Sequence, residues 1–229
     1  MTTCWICGEA ATTHEHMIKA SDVKAVMGLN VTQKSPLFFH QADRRNQPVG
    51  SIKSGKLKYN TPICAYCNHQ RTQPHDVAWE KLSQGLRSYD PPIRSGTMVR
   101  LGGIFSGGVR DGMLGAHLFF LKLFGCLIVE HTIPIEIEPF SHAILNGMPH
   151  PRVRIVFGTR ASAQTQRRLA RTPVNAYLVD GELAWAHWEY EVDRLIVRII
   201  YLGTEKLHPP VANSWHPSTM RNYLRIAGF

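Results

Sequence analysis

Four cysteines occur as two pairs of the form Cys-x-x-Cys, which is the spacing of a metal site. The first pair is Cys4 and Cys7, and the second is Cys64 and Cys67. A turn of this length brings two thiolates to one side, and two such pairs complete a tetrahedral coordination sphere. A redox motif would instead need a single pair beside a βαβ unit. The cysteines therefore predict one structural Zn²⁺ site, whereas Cys126 lies in an apolar run and is expected to be a small buried hydrophobe.

Histidine, glutamate and asparagine lie close to these cysteines in the chain. The segment His14-Glu15-His16 follows the first pair, and Asn68-His69 directly follows the second. A neutral imidazole near pH 7 can take a proton from water, and a hard cation with few protein ligands can stabilise charge on a phosphate. The two histidines alternate, so on a strand both would face one side, and one of them could be a surface or capping residue.

The order Cys-x-x-Cys, Glu-His with an apolar pair, and Cys-x-x-Cys-Asn resembles the zinc-knuckle branch of the His-Asn-His (HNH) endonucleases. Their ββα-metal finger is a treble-clef-like fold. The resemblance covers residues 4–87 and implies that His16 is the general base, with Glu15 a ligand of a catalytic Mg²⁺ or Mn²⁺. It also implies that Asn68 or His69 binds the same cation and that Asn60 steadies the loop that carries the base.

The chain departs from the family pattern at three places. It has Cys67-Asn68-His69 where many members have Cys-His-Asn, so both Asn68 and His69 stay candidate ligands. Asn60 lies one position closer to the second cysteine pair than the family's asparagine. Residues 17–63 form a longer insertion than in compact members, with polar and basic residues that indicate a loop with a short strand near Lys56 to Ile63.

The basic balance of the chain predicts a polyanionic partner. The formal charge is +9 and the pI is near 9.5, and Lys and Arg side chains that neutralise phosphates give sequence-independent affinity for nucleic acid. Residues 139–179 contain six arginines and no acidic residue. The alternative is a set of solvated arginines without a partner. The candidate nucleic-acid contacts are Arg44, Arg45, Arg71, Arg152, Arg154, Arg167 and Arg168.

Paired prolines near Tyr89-Asp90-Pro91-Pro92 predict a boundary between a nuclease finger, residues 1–90, and a second module, residues 91–229, that positions nucleic acid. The expected fold class is α+β, a treble-clef-like finger followed by a module with an antiparallel sheet.

Helices are predicted from Asp76 and over Val109 to Gly125. Strands are predicted at Ile133 to Ile137, Val153 to Phe157, Asn175 to Val179, Glu182 to Tyr190 and Leu195 to Leu202, with a type I′ turn at Asp180-Gly181. Trp185, Trp188, Tyr190 and Tyr201 could stack on bases but are expected to fill the core.

These observations predict a metal-dependent endonuclease that hydrolyses phosphodiester bonds, with DNA favoured over RNA by the resemblance alone. The alternatives are a non-catalytic zinc-stabilised nucleic-acid-binding protein and a protein-interaction adaptor. We expect a cytoplasmic protein, because the N-terminus has no signal-peptide pattern, and no membrane partner, because the longest apolar stretch contains His117 and Lys122. A homodimer would be needed if each centre cuts one strand of a duplex.

Overall fold

The computed structural model describes residues 2–28, 31–41, 44–160, 169–204, 213–219 and 221–229. Within those ranges the chain is a mixed α+β fold with antiparallel sheets, which confirms the predicted class. The four helices of the described residues are α1 (Ala20–Met27), α2 (Gln73–Arg87), α3 (Val109–Glu130) and α4 (Glu138–Asn146). A π-helical turn, Cys67–Arg71, precedes α2, and Pro74 lies in the first turn of α2, where its missing N–H costs no hydrogen bond.

Among the described residues, three two-stranded antiparallel sheets flank the core. They are β1 (Thr13–His16) with β4 (Lys58–Ile63), β2 (Leu37–Phe39) with β3 (Gln47–Val49), and β5 (Met98–Arg100) with β11 (Tyr223–Arg225). The β4 strand confirms the one predicted near Lys56 to Ile63. The rest of the insertion is more regular than predicted, because α1, β2 and β3 also lie in it.

The largest sheet comes from the second half of the chain. Its strands, in spatial order, are β12 (Ala227–Gly228), β6 (Val153–Thr159), β10 (Leu195–Leu202), β9 (Glu182–Val192) and β7 (Leu169–Arg171), and β8 (Asn175–Val179) also pairs with β9. The β12 strand runs parallel to β6, and every other pair is antiparallel. Asp180 and Gly181, between β8 and β9, both have positive φ, at 53° and 81°. The predicted type I′ hairpin is confirmed.

The core surrounds α3, whose side chains are buried on almost all sides. Phe120 of α3 contacts Trp188 and Tyr190 on the inner face of the large sheet, and Phe119 stacks on Trp79 of α2 with ring centroids 5.6 Å apart. By length and composition α3 could cross a bilayer, but 83% of its most apolar window is buried inside the protein. That burial is typical of a core helix.

Residues on both sides of the predicted boundary contribute to one hydrophobic cluster. Trp79 and Leu82 of α2 and Met113 and Phe119 of α3 are members of it. The division into residues 1–90 and 91–229 stays a prediction about the organisation of the chain.

The segment Ile133 to Ile137, predicted to be a strand, is instead an irregular turn between α3 and α4. Ile133 N–H donates to the Ile128 carbonyl at 3.0 Å, which closes the end of α3, and Ile135 is buried. Its apolar residues therefore pack against the core without a strand partner. The α3 helix also runs five residues beyond the predicted end at Gly125, to Glu130.

Helix α4 was not predicted from the sequence, although its ends carry clear signals. Pro139 lies in the first turn, and Gly147 follows the last residue in the left-handed conformation, with φ of 61°.

Among the four predicted core aromatics, Trp188, Tyr190 and Tyr201 are buried. Trp185 is half-buried and was wrongly expected to fill the core, because alternate residues of β9 face opposite sides of the sheet.

Candidate metal centre and active site

The four cysteines of the two pairs converge in space. Their Sγ atoms all lie within 4.8 Å of one another, and those of Cys7 and Cys64 are 3.5 Å apart. A zinc tetrahedron with Zn–S bonds of about 2.3 Å needs sulfurs about 3.8 Å apart. The Cys67 N–H donates to Cys64 Sγ at 3.3 Å, and the Gly8 N–H donates to the Cys4 carbonyl at 2.8 Å, which folds each pair tightly. The site could hold a structural metal such as zinc, and the buried Cys126 is not part of it.

Asn68 joins the second cysteine pair to β1 by hydrogen bonds. Its Nδ2 atom donates to Thr13 Oγ1 at 3.1 Å and to the His14 carbonyl at 3.5 Å, and the side chain is buried. His69, the other candidate ligand, is exposed. Of the two, Asn68 is the residue that directly fixes the strand on which Glu15 and His16 lie.

His16 is the last residue of β1, beside an irregularity in the register with β4. Burial lowers the pKa of His16, and the charges of Lys58 and Lys19 act in the same direction. The charge of Glu15 and a hydrogen bond with the Ile52 backbone oppose them without reversing the shift. The imidazole is therefore neutral at pH 7. Its Nε2 atom is buried and has no partner among the residues that the structure describes, and such an atom calls for a water molecule or a ligand.

Glu15 forms an ion pair with a lysine that the sequence analysis did not single out as a site residue. Lys122 Nζ, on α3, lies 2.7 Å from Glu15 Oε2, 3.0 Å from Asp76 Oδ1 and 3.2 Å from Thr72 Oγ1. Its three N–H donors are thus all used inside the protein, where its side chain has 0% exposure. The one signal for it in the sequence is a lysine within the otherwise apolar run of residues 118–129.

The charge balance around Lys122 keeps its ammonium protonated. Burial acts to lower the pKa of Lys122, but the carboxylates of Glu15 and Asp76 outweigh it and raise the pKa above the ordinary value. Lys19 extends the network at its outer edge, with Nζ 3.4 Å from Asp76 and 3.3 Å from Glu80. Two carboxylates from different elements, Glu15 of β1 and Asp76 of α2, are therefore held against α3 by one buried cation.

Asn60 contacts α3 and not His16. Its N–H and its Nδ2 donate to the carboxylate of Glu130 at 2.8 and 3.3 Å, at the end of α3. This bond anchors β4, the partner strand of β1. Asn60 therefore helps to position the hairpin that carries His16.

The predicted nucleic-acid contacts lie at separate places on the surface. Arg71 lies over the exposed Tyr66 ring at 5.1 Å, beside the cysteine site. Arg44 and Arg45 are exposed in the insertion, Arg154 lies on β6 of the large sheet, and Arg152 lies in the turn just before β6. Arg167 and Arg168 lie outside the described residues.

Arg171, which the sequence analysis counted only as part of the basic stretch, reaches the hairpin. Its Nη2 lies 3.1 Å from Met17 Sδ, and its guanidinium lies 5.3 Å from the centroid of the Tyr59 ring. The second half of the chain therefore brings a cation against Met17, the residue that follows His16.

Within the part of the chain that the structure describes, the four cysteines are the one group of three or more His, Cys, Asp or Glu side chains close enough to share a metal ion. No protein-family model, curated protein or solved structure matches this chain significantly.

Proposed function

We propose that this protein is a metal-dependent endonuclease of the HNH type, with a treble-clef-like ββα-metal finger formed by β1, β4 and α2. The observation that carries the proposal is His16, a half-buried and neutral imidazole with an unpaired Nε2 atom, at the end of a hairpin that the four cysteines tie to the following helix. The resemblance of residues 4–87 to the HNH endonucleases indicates the type of reaction, hydrolysis of a phosphodiester bond.

His16 would act as the general base that takes a proton from the attacking water. Glu15 would hold the divalent cation together with Asn68 or His69. Glu15 accepts one hydrogen bond at each oxygen, from His16 N–H at 2.9 Å and from Lys122 at 2.7 Å, and each carboxylate oxygen has a second lone pair that remains for a cation. Bound there, Mg²⁺ or Mn²⁺ would stabilise charge on the phosphate and the leaving oxygen.

The ion pair between Lys122 and Glu15 favours the second candidate, a non-catalytic zinc-stabilised nucleic-acid-binding protein. A buried ammonium 2.7 Å from the carboxylate competes with a divalent cation for the same negative charge. In that case Lys122 replaces the catalytic cation and fixes the finger. The basic balance of the chain would then serve binding alone.

The proposed substrate and cellular compartment follow from the same resemblance and from the sequence. DNA is the favoured nucleic acid by the resemblance, and the protein would act in the cytoplasm without a membrane partner. One finger contains one base, so cutting both strands of a duplex would take two copies of the chain.

A plasmid-nicking assay tests the nuclease proposal. Supercoiled DNA and single-stranded DNA are incubated with the full-length protein and Mg²⁺ or Mn²⁺, and an EDTA sample is run in parallel. We expect metal-dependent cleavage that His16→Ala reduces by at least about 100-fold, the lower range for loss of a general base. The matched variant His131→Ala, at an exposed position beyond α3, should keep the activity.

Zinc content and folding of the His16→Ala protein are measured alongside cleavage. Activity that survives His16→Ala would remove His16 as the base. Salt-sensitive DNA binding by a wild-type protein that does not cleave would favour the non-catalytic candidate.

A further inference from the structure

The outer face of the large sheet carries aromatic side chains that the core does not use. Along β9, Ala184, Ala186 and Trp188 point inward and are buried. Trp185 and His187 lie on the opposite face. Tyr177, the residue of β8 directly across from Trp185, is 45% exposed.

These three rings are nearly parallel. Tyr177 and Trp185 stack with centroids 3.8 Å apart and an interplanar angle of 11°. His187 lies 5.2 Å from Trp185 at 23° and 5.9 Å from Tyr177 at 17°. The aromatic face, defined as Tyr177, Trp185 and His187, therefore presents three nearly parallel rings. Tyr177 is the exposed ring of the three, and the other two are half-buried.

Two arginines lie in register with these rings on the same face. Ile200 pairs with His187 on one side and with Arg154 on the other. Leu202 likewise pairs with Trp185, and its N–H donates to the Arg152 carbonyl at 2.8 Å. In each row the backbone of the aromatic residue thus lies two strand spacings, about 10 Å, from the backbone of the arginine.

Both guanidinium groups have N–H donors that bond to no described residue. Arg152 Nη1 donates to the Gly203 carbonyl at 3.0 Å, and Arg154 Nη1 donates to the Pro151 carbonyl at 2.8 Å. Among the described residues no carboxylate lies within ion-pair distance of either arginine. The backbone thus orients both cations, and no described carboxylate pairs with either, which suits a polyanion.

We propose that the aromatic face, together with Arg152 and Arg154, is a binding surface for single-stranded nucleic acid. Bases stack on the open face of the Tyr177–Trp185 pair, and the arginines contact phosphates of the same strand. A duplex keeps its base faces stacked inside the helix, so only an unpaired strand can use the rings. The two arginines and the net charge of +9 favour this polyanionic partner over a second copy of the equally basic chain.

This surface goes beyond the proposed endonuclease function, because binding here does not require that His16 be catalytic. The test therefore uses the full-length His16→Ala protein in EDTA, so that no cleavage occurs. Binding is measured by fluorescence anisotropy with a labelled oligo(dT) of about twelve nucleotides, within the site sizes of known sheet-based binders, and with a duplex of the same length.

Tyr177→Ala is expected to weaken oligo(dT) binding about tenfold, which is within the range measured when one base–aromatic stack is lost. Tyr177→Phe keeps the ring and should bind like the parent protein. Tyr223→Ala removes an equally exposed tyrosine from β11, outside this face, and should also leave binding unchanged. Duplex affinity should be the same for all four proteins.

The arginines are tested in the same assay across a range of salt concentrations. Arg152→Gln and Arg154→Gln should each weaken oligo(dT) binding and lower the slope of log affinity against log salt by about 0.7, the value for one phosphate contact on a single strand. Arg225→Gln, at an exposed position of β11, is the matched control.

Three results would overturn the proposal. The first is oligo(dT) affinity that Tyr177→Ala leaves unchanged. The second is an equal loss of duplex and oligo(dT) affinity in that variant. The third is a self-association, detected by sedimentation, that Tyr177→Ala abolishes without changing oligo(dT) binding, since the occupant would then be a second copy. Loss of plasmid nicking in wild-type protein would leave these outcomes untouched.

Discussion

At the scale of single residues, the cysteine site makes the most direct prediction. Four sulfurs within 4.8 Å of one another would repel as thiolates, and a metal ion removes that repulsion. We expect the purified protein to contain one zinc ion per chain by mass spectrometry of the metal. Cys67→Ser should lose the zinc and at least about 3 kcal/mol of unfolding free energy. Cys126→Ser, at an equally buried position, should keep the zinc, and a Cys67→Ser protein with full zinc content would refute the site.

Lys122 is the other residue whose replacement has a clear expected cost. Removing the ammonium leaves Glu15 and Asp76, with side chains only 11% and 18% exposed, without their shared partner. Breaking a buried pair in this way costs about 3–5 kcal/mol. We expect Lys122→Met to lower the unfolding free energy in urea by about that amount, and Lys81→Met, at an exposed position of α2, to change it by less than about 0.5 kcal/mol. A Lys122→Met protein of unchanged stability would mean that the ion pair does not hold β1 against α3.

At the scale of secondary structure, the crossing of α2 and α3 depends on a glycine. A Cβ atom at Gly115 would lie 2.7 Å from the Cβ of Ala78, closer than real carbon contacts allow. Alanine is favoured over glycine by about 1 kcal/mol inside a helix, yet we expect Gly115→Ala to destabilise the protein by about 1–3 kcal/mol, because the two helices must separate. Thermal and urea unfolding would measure this. The double variant with Ala78→Gly should recover most of the loss, and a stabilised Gly115→Ala protein would exclude close packing here.

The same elements show what the sequence allowed us to predict. The strands β8, β9 and β10 follow from their β-branched composition and from the Asp180-Gly181 turn, because a type I′ turn depends on local backbone preferences alone. The error at residues 133–137 arose because a buried turn and a short strand have the same apolar composition. Helix α1 escaped prediction because its polar insertion has little regular apolar spacing, and α4 escaped although Pro139 and Gly147 mark its ends.

The candidate site was predictable to a similar extent. The spacing of the four cysteines predicts that they come together, as the structure shows, and the motif around His16 predicts which strand carries the candidate base. The contact of Glu15 with Lys122 joins residues far apart in the sequence and depends on how α3 passes behind the hairpin, which no local pattern encodes. Arg171 reaches Met17 for the same reason.

At the scale of the whole molecule, three buried histidines connect α3, the start of the large sheet and the C-terminal segment. His150 N–H donates to His117 Nε2 at 3.2 Å, His216 Nε2 donates to the His150 carbonyl at 3.0 Å, and Ser218 N–H donates to His216 Nδ1 at 3.1 Å. His117 Nε2 and His216 Nδ1 must be unprotonated to accept these bonds. Burial lowers the pKa of all three rings, that of His150 to about 4.

This cluster predicts that the fold weakens in mild acid. The unfolded chain takes up protons on histidine near pH 6.5, whereas the folded protein resists protonation of His150 until about pH 4, so stability falls as the pH falls from 7 and the loss levels off below pH 4. For His150 alone the linkage relation gives a loss of about 2 kcal/mol of unfolding free energy between pH 7 and pH 5.

We expect urea unfolding at these two pH values to show at least that loss of unfolding free energy for the wild type. For His150→Gln the loss should be smaller by about 2 kcal/mol. His131→Gln, which replaces an exposed histidine, should keep the wild-type dependence. An identical pH dependence in His150→Gln and wild type would show that His150 does not couple the fold to pH.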